Sequence, residues 1–132
     1  MPILDVRGIS AGYAGEDVVH DLGFSIDEGE AVTIIGSNGA GKSTLLRAIV
    51  GMLRATSGTV TFAGTNITNQ ATHKIARLGL AYVPAERHLF PQMSVMENLQ
   101  LGAFPGRPDP DRQALVFDVF PRLAERTKQD AG

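Results

Sequence analysis

The stretch that decides the fold is Gly36-Ser37-Asn38-Gly39-Ala40-Gly41-Lys42-Ser43-Thr44. It matches the pattern Gly-x-x-x-x-Gly-Lys-Ser/Thr without a gap. The residues at 31–35 form a continuous, largely β-branched apolar run, which predicts a strand buried on both faces. After the loop, apolar residues recur at helical spacing, at Leu46, Ile49, Val50 and Leu53. A strand, a glycine-rich loop and a helix in this order are the context that confirms the pattern.

The residue types of this loop suit phosphate binding, and the pattern is known as the P-loop or Walker A motif. Glycines let successive backbone N–H groups turn toward phosphate oxygens, because a Cβ there would block the approach. The helix that begins near Ser43 adds unpaired N–H groups and the positive end of its dipole. Lys42 is expected to reach the β- and γ-phosphates, Ser43 to bind Mg²⁺ and Thr44 to meet the α-phosphate. The motif therefore predicts nucleotide binding, and the alternative is a chance match in a glycine-rich loop.

Composition limits the classes of protein to which the chain can belong. Its 132 residues suit about one domain, and 43% hydrophobic with 20% charged residues excludes long disorder, collagen and a coiled coil. The 12 basic and 14 acidic residues, without a clustered positive face, argue against nucleic-acid binding. The absence of cysteine excludes disulfides, thiolate zinc sites and cysteine nucleophiles. Neither an apolar run of about 18 residues nor a signal peptide is visible, so any membrane role is expected to come through a partner.

Periodicity predicts the remaining elements. Further strands are predicted at 3–9, 18–26, 58–62 and 80–83. Helices are predicted at 72–78, at 94–101 behind a Ser94-x-x-Glu97 capping box, after the Asp109-Pro110 pair, and again from Pro121. Because strands and helices alternate after residue 30, the predicted fold class is α/β.

Several stretches resemble the ATP-binding subunits of ABC transporters. They are Ser10-Ala11-Gly12-Tyr13, Asn38-Gly39-Ala40-Gly41-Lys42-Ser43-Thr44-Leu45-Leu46, and the segments at 18–25 and 57–64. The segments at 78–84, 87–91, 95–99 and 120–126 are more specific. They resemble subunits of branched-chain amino-acid importers, with the urea importer as the nearest rival. The resemblance covers the whole chain but only part of the family's domain, because the signature segment, the catalytic glutamate and the switch histidine are absent.

The resemblance implies an incomplete P-loop NTPase fold of the ABC nucleotide-binding type. It would comprise N-terminal antiparallel strands, the start of the parallel core sheet and part of the helical subdomain. On this interpretation residues 1–132 are a partial domain. Residues 1–84 are its nucleotide-binding core portion, and residues 85–132 are a linking loop with the start of the helical subdomain.

The resemblance also assigns site residues for ATP and Mg²⁺. Tyr13 matches the aromatic residue that stacks on adenine, although an aromatic beside glycines in a turn can also be a plain surface residue. Val18 matches a neighbour of that ring, and a valine of the strand core is the alternative. At the position after Val83-Pro84 the family has Gln or Glu, which touches Mg²⁺ and the attacking water, whereas this sequence has Ala85. The chain therefore contains no assigned catalytic residue, and Glu86 is a weak substitute for the missing group.

The implied function is that of an ATPase subunit that couples ATP binding and hydrolysis to uptake of branched-chain amino acids. The implied partners are transmembrane permease subunits and a second ATP-binding subunit, in a homo- or heterodimer. The implied location is peripheral, on the cytoplasmic face of the membrane, with the region at 78–105 toward the permease. This chain alone is expected to be inactive.

There are three alternatives to the function of a branched-chain amino-acid importer subunit. The first is a nucleotide-binding fragment without turnover, and the second is the urea-importer relative. The third is a GTPase or a small-molecule kinase. A GTPase needs Asp-x-x-Gly after the loop, but the one found, from Asp5 to Gly8, precedes it, and Asn-Lys-x-Asp is missing. A kinase does not explain the segment at 78–99.

Overall fold

The computed structural model describes residues 1–86, 88–104 and 106–132. Arg87, in one segment of the family resemblance, and Pro105, at the end of the expected permease-facing region, lie outside the described residues. The chain forms two compact units, Met1–Tyr82 and Val83–Gly132. The predicted boundary after residue 84 lies close to this division. The assignment of residues 85–132 to a linking loop and a helical subdomain stays a prediction.

The first unit is built on a four-stranded antiparallel sheet. Its strands are β1 (Leu4–Tyr13), β2 (Glu16–Ile26), β3 (Ala55–Phe62) and β4 (Thr65–Asn66), in the order β2-β1-β3-β4. Leu4 pairs with Ile26 on one side and with Phe62 on the other. Gly58 has a φ of 85°, and a Cβ there would collide with the backbone of Gly8, so the close pairing of β1 and β3 requires glycine.

Two helices complete this unit, α1 (Lys42–Ile49) and α2 (Thr72–Arg77). The core joins apolar residues of the sheet to those of the helices and of the segment after β4. Its largest fully buried side chains are those of Val6, Ile9, Leu45, Val60, Ile67 and Ile75. Each such side chain contributes about 1.5–3 kcal/mol through burial. Helix α1, which follows the glycine-rich loop, is thereby anchored on the sheet through Leu45 and Ile49.

The predicted strands at 31–35 and 80–83 are wrong, because neither segment is a strand among the described residues. The side chains of Val32 and Ile35 are 45% and 91% exposed, not buried on both faces. Apolar β-branched sequence favours an extended chain, but a strand also needs a neighbouring backbone with which to pair. No described residue pairs with either segment, so the start of a parallel core sheet is not formed. The α/β class is confirmed, with a sheet that is antiparallel within the described residues.

The second unit contains α3 (Val95–Gly102), α4 (Pro110–Val119) and α5 (Pro121–Glu125). The predicted capping box is confirmed: Ser94 accepts from the Glu97 N–H, and Glu97 accepts from the Ser94 N–H at 2.8 Å. The predicted Asp109 cap with Pro110 in the first turn of α4 is also confirmed. The Asn98 side chain binds both the N–H and the carbonyl oxygen of Phe90, which fixes the segment before α3. None of the helices in the described residues is long and apolar enough to span a membrane.

Candidate functional site

The glycine-rich loop leads directly into α1, and two of its glycines have a backbone conformation that other residues rarely adopt. Gly39 has a φ of 85° and Gly41 a φ of 93°. Gly41 is the N-cap of α1, and no side chain caps this helix end. The N–H groups of the first helical turn therefore point toward the loop, which makes this end of α1 suited to bind an anion.

Gly41 is also closely packed against β2. A Cβ at this position would lie 3.0 Å from Val19 Cγ2 and 3.3 Å from Val18 Cγ1. This contact places Val18, a predicted site residue, beside the loop. Val18 is 41% exposed, so it is not a buried residue of the core. Its exposed surface is available to a ligand at the loop.

The Lys42 side chain folds back across the loop. Its Nζ donates to the carbonyl oxygens of Gly36 at 2.6 Å and of Ser37 at 2.7 Å. Ala40 donates to the same Ser37 oxygen at 3.2 Å, which closes the loop on itself. The ammonium group is thus held at the loop, where it can add positive charge to that of the helix end. The cation and the N–H groups together give this site a positive electrostatic potential.

The hydroxyl residues after Lys42 differ in exposure. Ser43 is exposed in the first turn of α1, whereas Thr44 is 7% exposed. Mg²⁺ is usually held by one or two protein oxygens, with phosphate oxygens and water completing its shell. The Ser43 hydroxyl can supply one such oxygen. The N–H groups at the uncapped start of α1, the lysine and this hydroxyl fit a nucleotide bound with Mg²⁺.

Tyr13 lies beside α1, at the end of β1. Its hydroxyl accepts a hydrogen bond from Arg47 Nη1 at 3.3 Å, and its side chain is 46% exposed. Hydrogen bonds from Arg47 and then Thr44 hold the pKa of Tyr13 below its usual value. The structure therefore brings together Tyr13, Val18 and the loop at 36–44, and their role in binding stays a prediction.

Two further residues belong to this surface and were missed by the sequence interpretation. Hydrogen bonds to Tyr13 and Tyr82 hold the pKa of Arg47 above its usual value. Arg47 follows Thr44 by three positions, and residues at this spacing are neighbours on a helix surface. That spacing was the available signal for Arg47. Tyr82 carried no comparable signal, because its contact with Arg47 depends on the tertiary fold.

Ala85, at the position where the resemblance implied Gln or Glu, belongs to the second unit and is exposed. Its methyl group has no atom that can bind a metal or a water molecule. The neighbouring Glu86 is exposed as well and makes an interaction of its own.

Comparison with known proteins agrees with the loop and the fold. The family model described as ABC transporter matches residues 19–131. A solved structure described as an ATP-binding subunit of an ABC transporter superposes with a TM-score of 0.83 and 29% identity. The superposition covers 97% of this chain and 54% of the chain in the solved structure.

Sequence comparison also finds ATP-binding proteins of transport systems among the relatives. The chain is 38% identical over 132 residues to BraG of Pseudomonas aeruginosa, a high-affinity branched-chain amino acid transport ATP-binding protein. The match covers 98% of this chain and 57% of BraG. It is 34% identical over 128 residues to AraG of Azospirillum brasilense, an arabinose import ATP-binding protein, covering 94% of this chain and 25% of AraG. The chain thus spans little more than half the length of BraG. Because the family model matches most of its residues, the chain belongs to the ABC transporter family.

Proposed function

We propose that this chain binds ATP with Mg²⁺ at the loop 36–44 and stacks the adenine on Tyr13. The observation that carries the proposal is the uncapped N-terminus of α1 with Lys42 held across the loop. An exposed aromatic ring lies beside the same helix, so phosphate and base can be bound together. Base–aromatic stacking contributes about 1–3 kcal/mol and reads little beyond the face of the base.

Each residue of the site has one role in this proposal. Lys42 neutralises the β- and γ-phosphates, Ser43 donates an oxygen to Mg²⁺, and Thr44 meets the α-phosphate. The backbone N–H groups of the loop surround the phosphate oxygens, and Val18 packs beside the adenine ring. The loop residues that complete the site are Gly36, Ser37, Asn38, Gly39, Ala40 and Gly41. When bound, Mg²⁺ neutralises phosphate charge and orients the phosphates.

The site provides binding without turnover in this chain. Hydrolysis needs groups that position water and stabilise charge in the transition state, and such groups typically contribute 10²–10⁴-fold each. Ala85 lacks the polar group that the family has at this position, and no catalytic glutamate is assigned. A site that binds only the ground state lowers its energy and leaves the barrier high.

The proposed role is that of an importer's ATP-binding subunit for branched-chain amino acids. The relative BraG carries this substrate in its name, while the arabinose protein AraG also matches, so the substrate rests on the higher identity to BraG. A relative that imports urea is the alternative. The proposed partners are permease subunits and a second ATP-binding subunit, at the cytoplasmic face of the membrane.

Most of the region at 78–105, which is proposed to face the permease, lies in the second unit. Several large apolar side chains between residues 88 and 104 are exposed there, with Leu89 at 54%, Phe90 at 56% and Phe104 at 74%. Exposed apolar side chains in this region support a contact with another protein.

The test is calorimetric titration with ATP and Mg²⁺. Lys42→Ala is expected to abolish measurable binding, because it removes the cation held at the loop. Lys74→Ala, which removes an exposed lysine from α2, is the matched control and should bind like the parent. Equal affinity of Lys42→Ala and the parent would contradict the assignment. Phosphate release measured on the same proteins should stay at background, and turnover that Lys42→Ala abolishes would contradict the absence of hydrolysis.

A further inference from the structure

Arg47 connects the helix of the phosphate loop to the aromatic residue beside it. It lies on α1, one turn after Thr44, and its Nη1 is 3.3 Å from the Tyr13 hydroxyl. This bond first, and one from Thr44 second, hold the pKa of Tyr13 below its usual value. Arg47 and Thr44 are neighbours on the surface of α1, and both thus restrain the hydroxyl end of the Tyr13 side chain.

Tyr13 needs such a hold because little else restrains it. It ends β1, and the next two residues, Ala14 and Gly15, form a turn with φ values of 52° and 86°. The side chain is 46% exposed, so core packing does not fix its ring. A planar guanidinium with several N–H donors can bind the Tyr13 hydroxyl and a second partner at the same time. Hydrogen bonds to Tyr13 and then to Tyr82 hold the pKa of Arg47 above its usual value.

We propose that Arg47 is a positioning residue that fixes the Tyr13 ring at a set distance from the phosphate loop. The proposal rests on the proposed function, since it concerns how the same site receives adenine. Helix α1 would carry the phosphate-binding residues at its N-terminus and, one turn later, the residue that orients the base platform. Loop and platform would then form one preorganised body, which reduces the ordering cost of binding. The alternative is that Arg47 only complements the negative C-terminal end of α1.

The test compares Arg47→Met and Tyr13→Phe, singly and together, by calorimetry with ATP and with tripolyphosphate. Tyr13→Phe keeps the ring for stacking and removes only the hydroxyl, which Arg47 and Thr44 both bind. Each variant is expected to weaken ATP binding by about 2- to 12-fold, the range of one net hydrogen bond. The double variant should lose less than the sum of the two single losses, because both single variants remove the Arg47–Tyr13 bond. Arg54→Met, which removes an exposed arginine after α1, is the control for charge alone.

Tripolyphosphate has no base and separates positioning from electrostatics. Its affinity should fall equally little in Arg47→Met and Arg54→Met. An equal loss for ATP and tripolyphosphate in Arg47→Met, or additive losses in the double variant, would overturn the positioning role. Unchanged ATP binding by Arg47→Met would overturn it too, without affecting the proposed function. A parent chain that does not bind ATP would overturn the proposed function and this role with it.

A second measurement needs no nucleotide. In a Tyr82→Phe background Tyr13 is the one remaining tyrosine of the two in the chain, so absorbance near 295 nm follows its ionisation alone. Arg47→Met is expected to raise the pKa of Tyr13 in this background, and Arg54→Met to leave it unchanged. An unchanged pKa in Arg47→Met would show that the Arg47–Tyr13 contact does not form, which overturns the proposal.

Discussion

The loop at 36–44 and the segment at 31–35 that leads into it follow each other in sequence but differ in how far they are formed. The loop is closed by its own contacts, with Lys42 bound to the carbonyl oxygen of Gly36, and α1 begins within its last residues, at Lys42. The preceding segment is apolar, yet Ile35 is 91% exposed and the segment has no strand partner among the described residues. A loop and a helix satisfy their backbone locally, whereas a strand depends on another part of the chain.

Of the changes to these two regions, a substitution at Gly41 in the loop is expected to have the largest effect, which is a loss of ATP affinity. Gly41→Val would place a β-branched residue at a φ of 93°, with its Cβ 3.0 Å from Val19. Backbone strain of this kind costs about 1–3 kcal/mol, which corresponds to about 5- to 150-fold in ATP affinity if the loop must distort to accept it. Calorimetric titration with ATP measures this loss.

The matched control is Gly39→Asn. Gly39 has a similar φ of 85°, but a Cβ there meets no atom within 4 Å, and asparagine tolerates this conformation better than most residues. Gly39→Asn should therefore lose much less affinity than Gly41→Val. If both variants bound ATP like the parent, the glycine geometry of the loop would not be what makes the site.

A smaller effect, on self-association, is expected from the segment at 31–35, which forms a strand only when another backbone segment pairs with it. An exposed, apolar, β-branched run recruits other chains, so the purified chain is expected to self-associate through it. Ile35→Lys should raise the monomer fraction, because a charge in such a run opposes pairing. Size-exclusion chromatography with light scattering measures the change.

Met52→Lys is the control for this prediction. Met52 is 54% exposed and apolar but does not belong to a β-branched run, so it should leave self-association unchanged. A parent chain that is a clean monomer with a sharp thermal transition would contradict the prediction. Equal effects of the two variants would show that general surface hydrophobicity, not the segment, drives association.

The same distinction explains what could be predicted from the sequence. The helix caps at Ser94 and Asp109 and the loop before α1 were predicted correctly, because their partners lie within a few residues. The strand at 31–35 was predicted wrongly. An apolar pattern indicates a preference for burial, but it does not indicate whether a partner strand is present. The Arg47–Tyr13 bond joins residues 34 positions apart and depends on how α1 packs on the sheet, which no local pattern encodes.

The smallest effect is expected at the capping box of α3, a second locally formed feature. The Ser94 hydroxyl accepts from the Glu97 N–H at 3.2 Å and donates to Glu97 Oε2 at 2.8 Å. Ser94→Ala should lower the free energy of unfolding by about 1 kcal/mol, the usual contribution of an N-cap, as measured by urea unfolding followed by circular dichroism. Ser94→Thr keeps the hydroxyl and should lose less. Equal losses for both variants would show that the cap does not stabilise α3.

Glu97 gives this box a pH dependence with a defined sign. Hydrogen bonds from the Ser94 backbone and then its side chain hold the pKa of Glu97 below its usual value. Because the folded pKa is the lower one, the stabilisation is fully present above the unfolded pKa and is lost as the pH falls through the folded pKa. Glu97→Gln can still accept the Ser94 N–H but does not titrate, so stability should become less dependent on pH in this acidic range. Urea unfolding of parent and variant between about pH 3 and 6, the range around an ordinary glutamate pKa, measures the difference. Parallel profiles for the two proteins would mean that the Glu97 carboxylate is not bound in the folded chain.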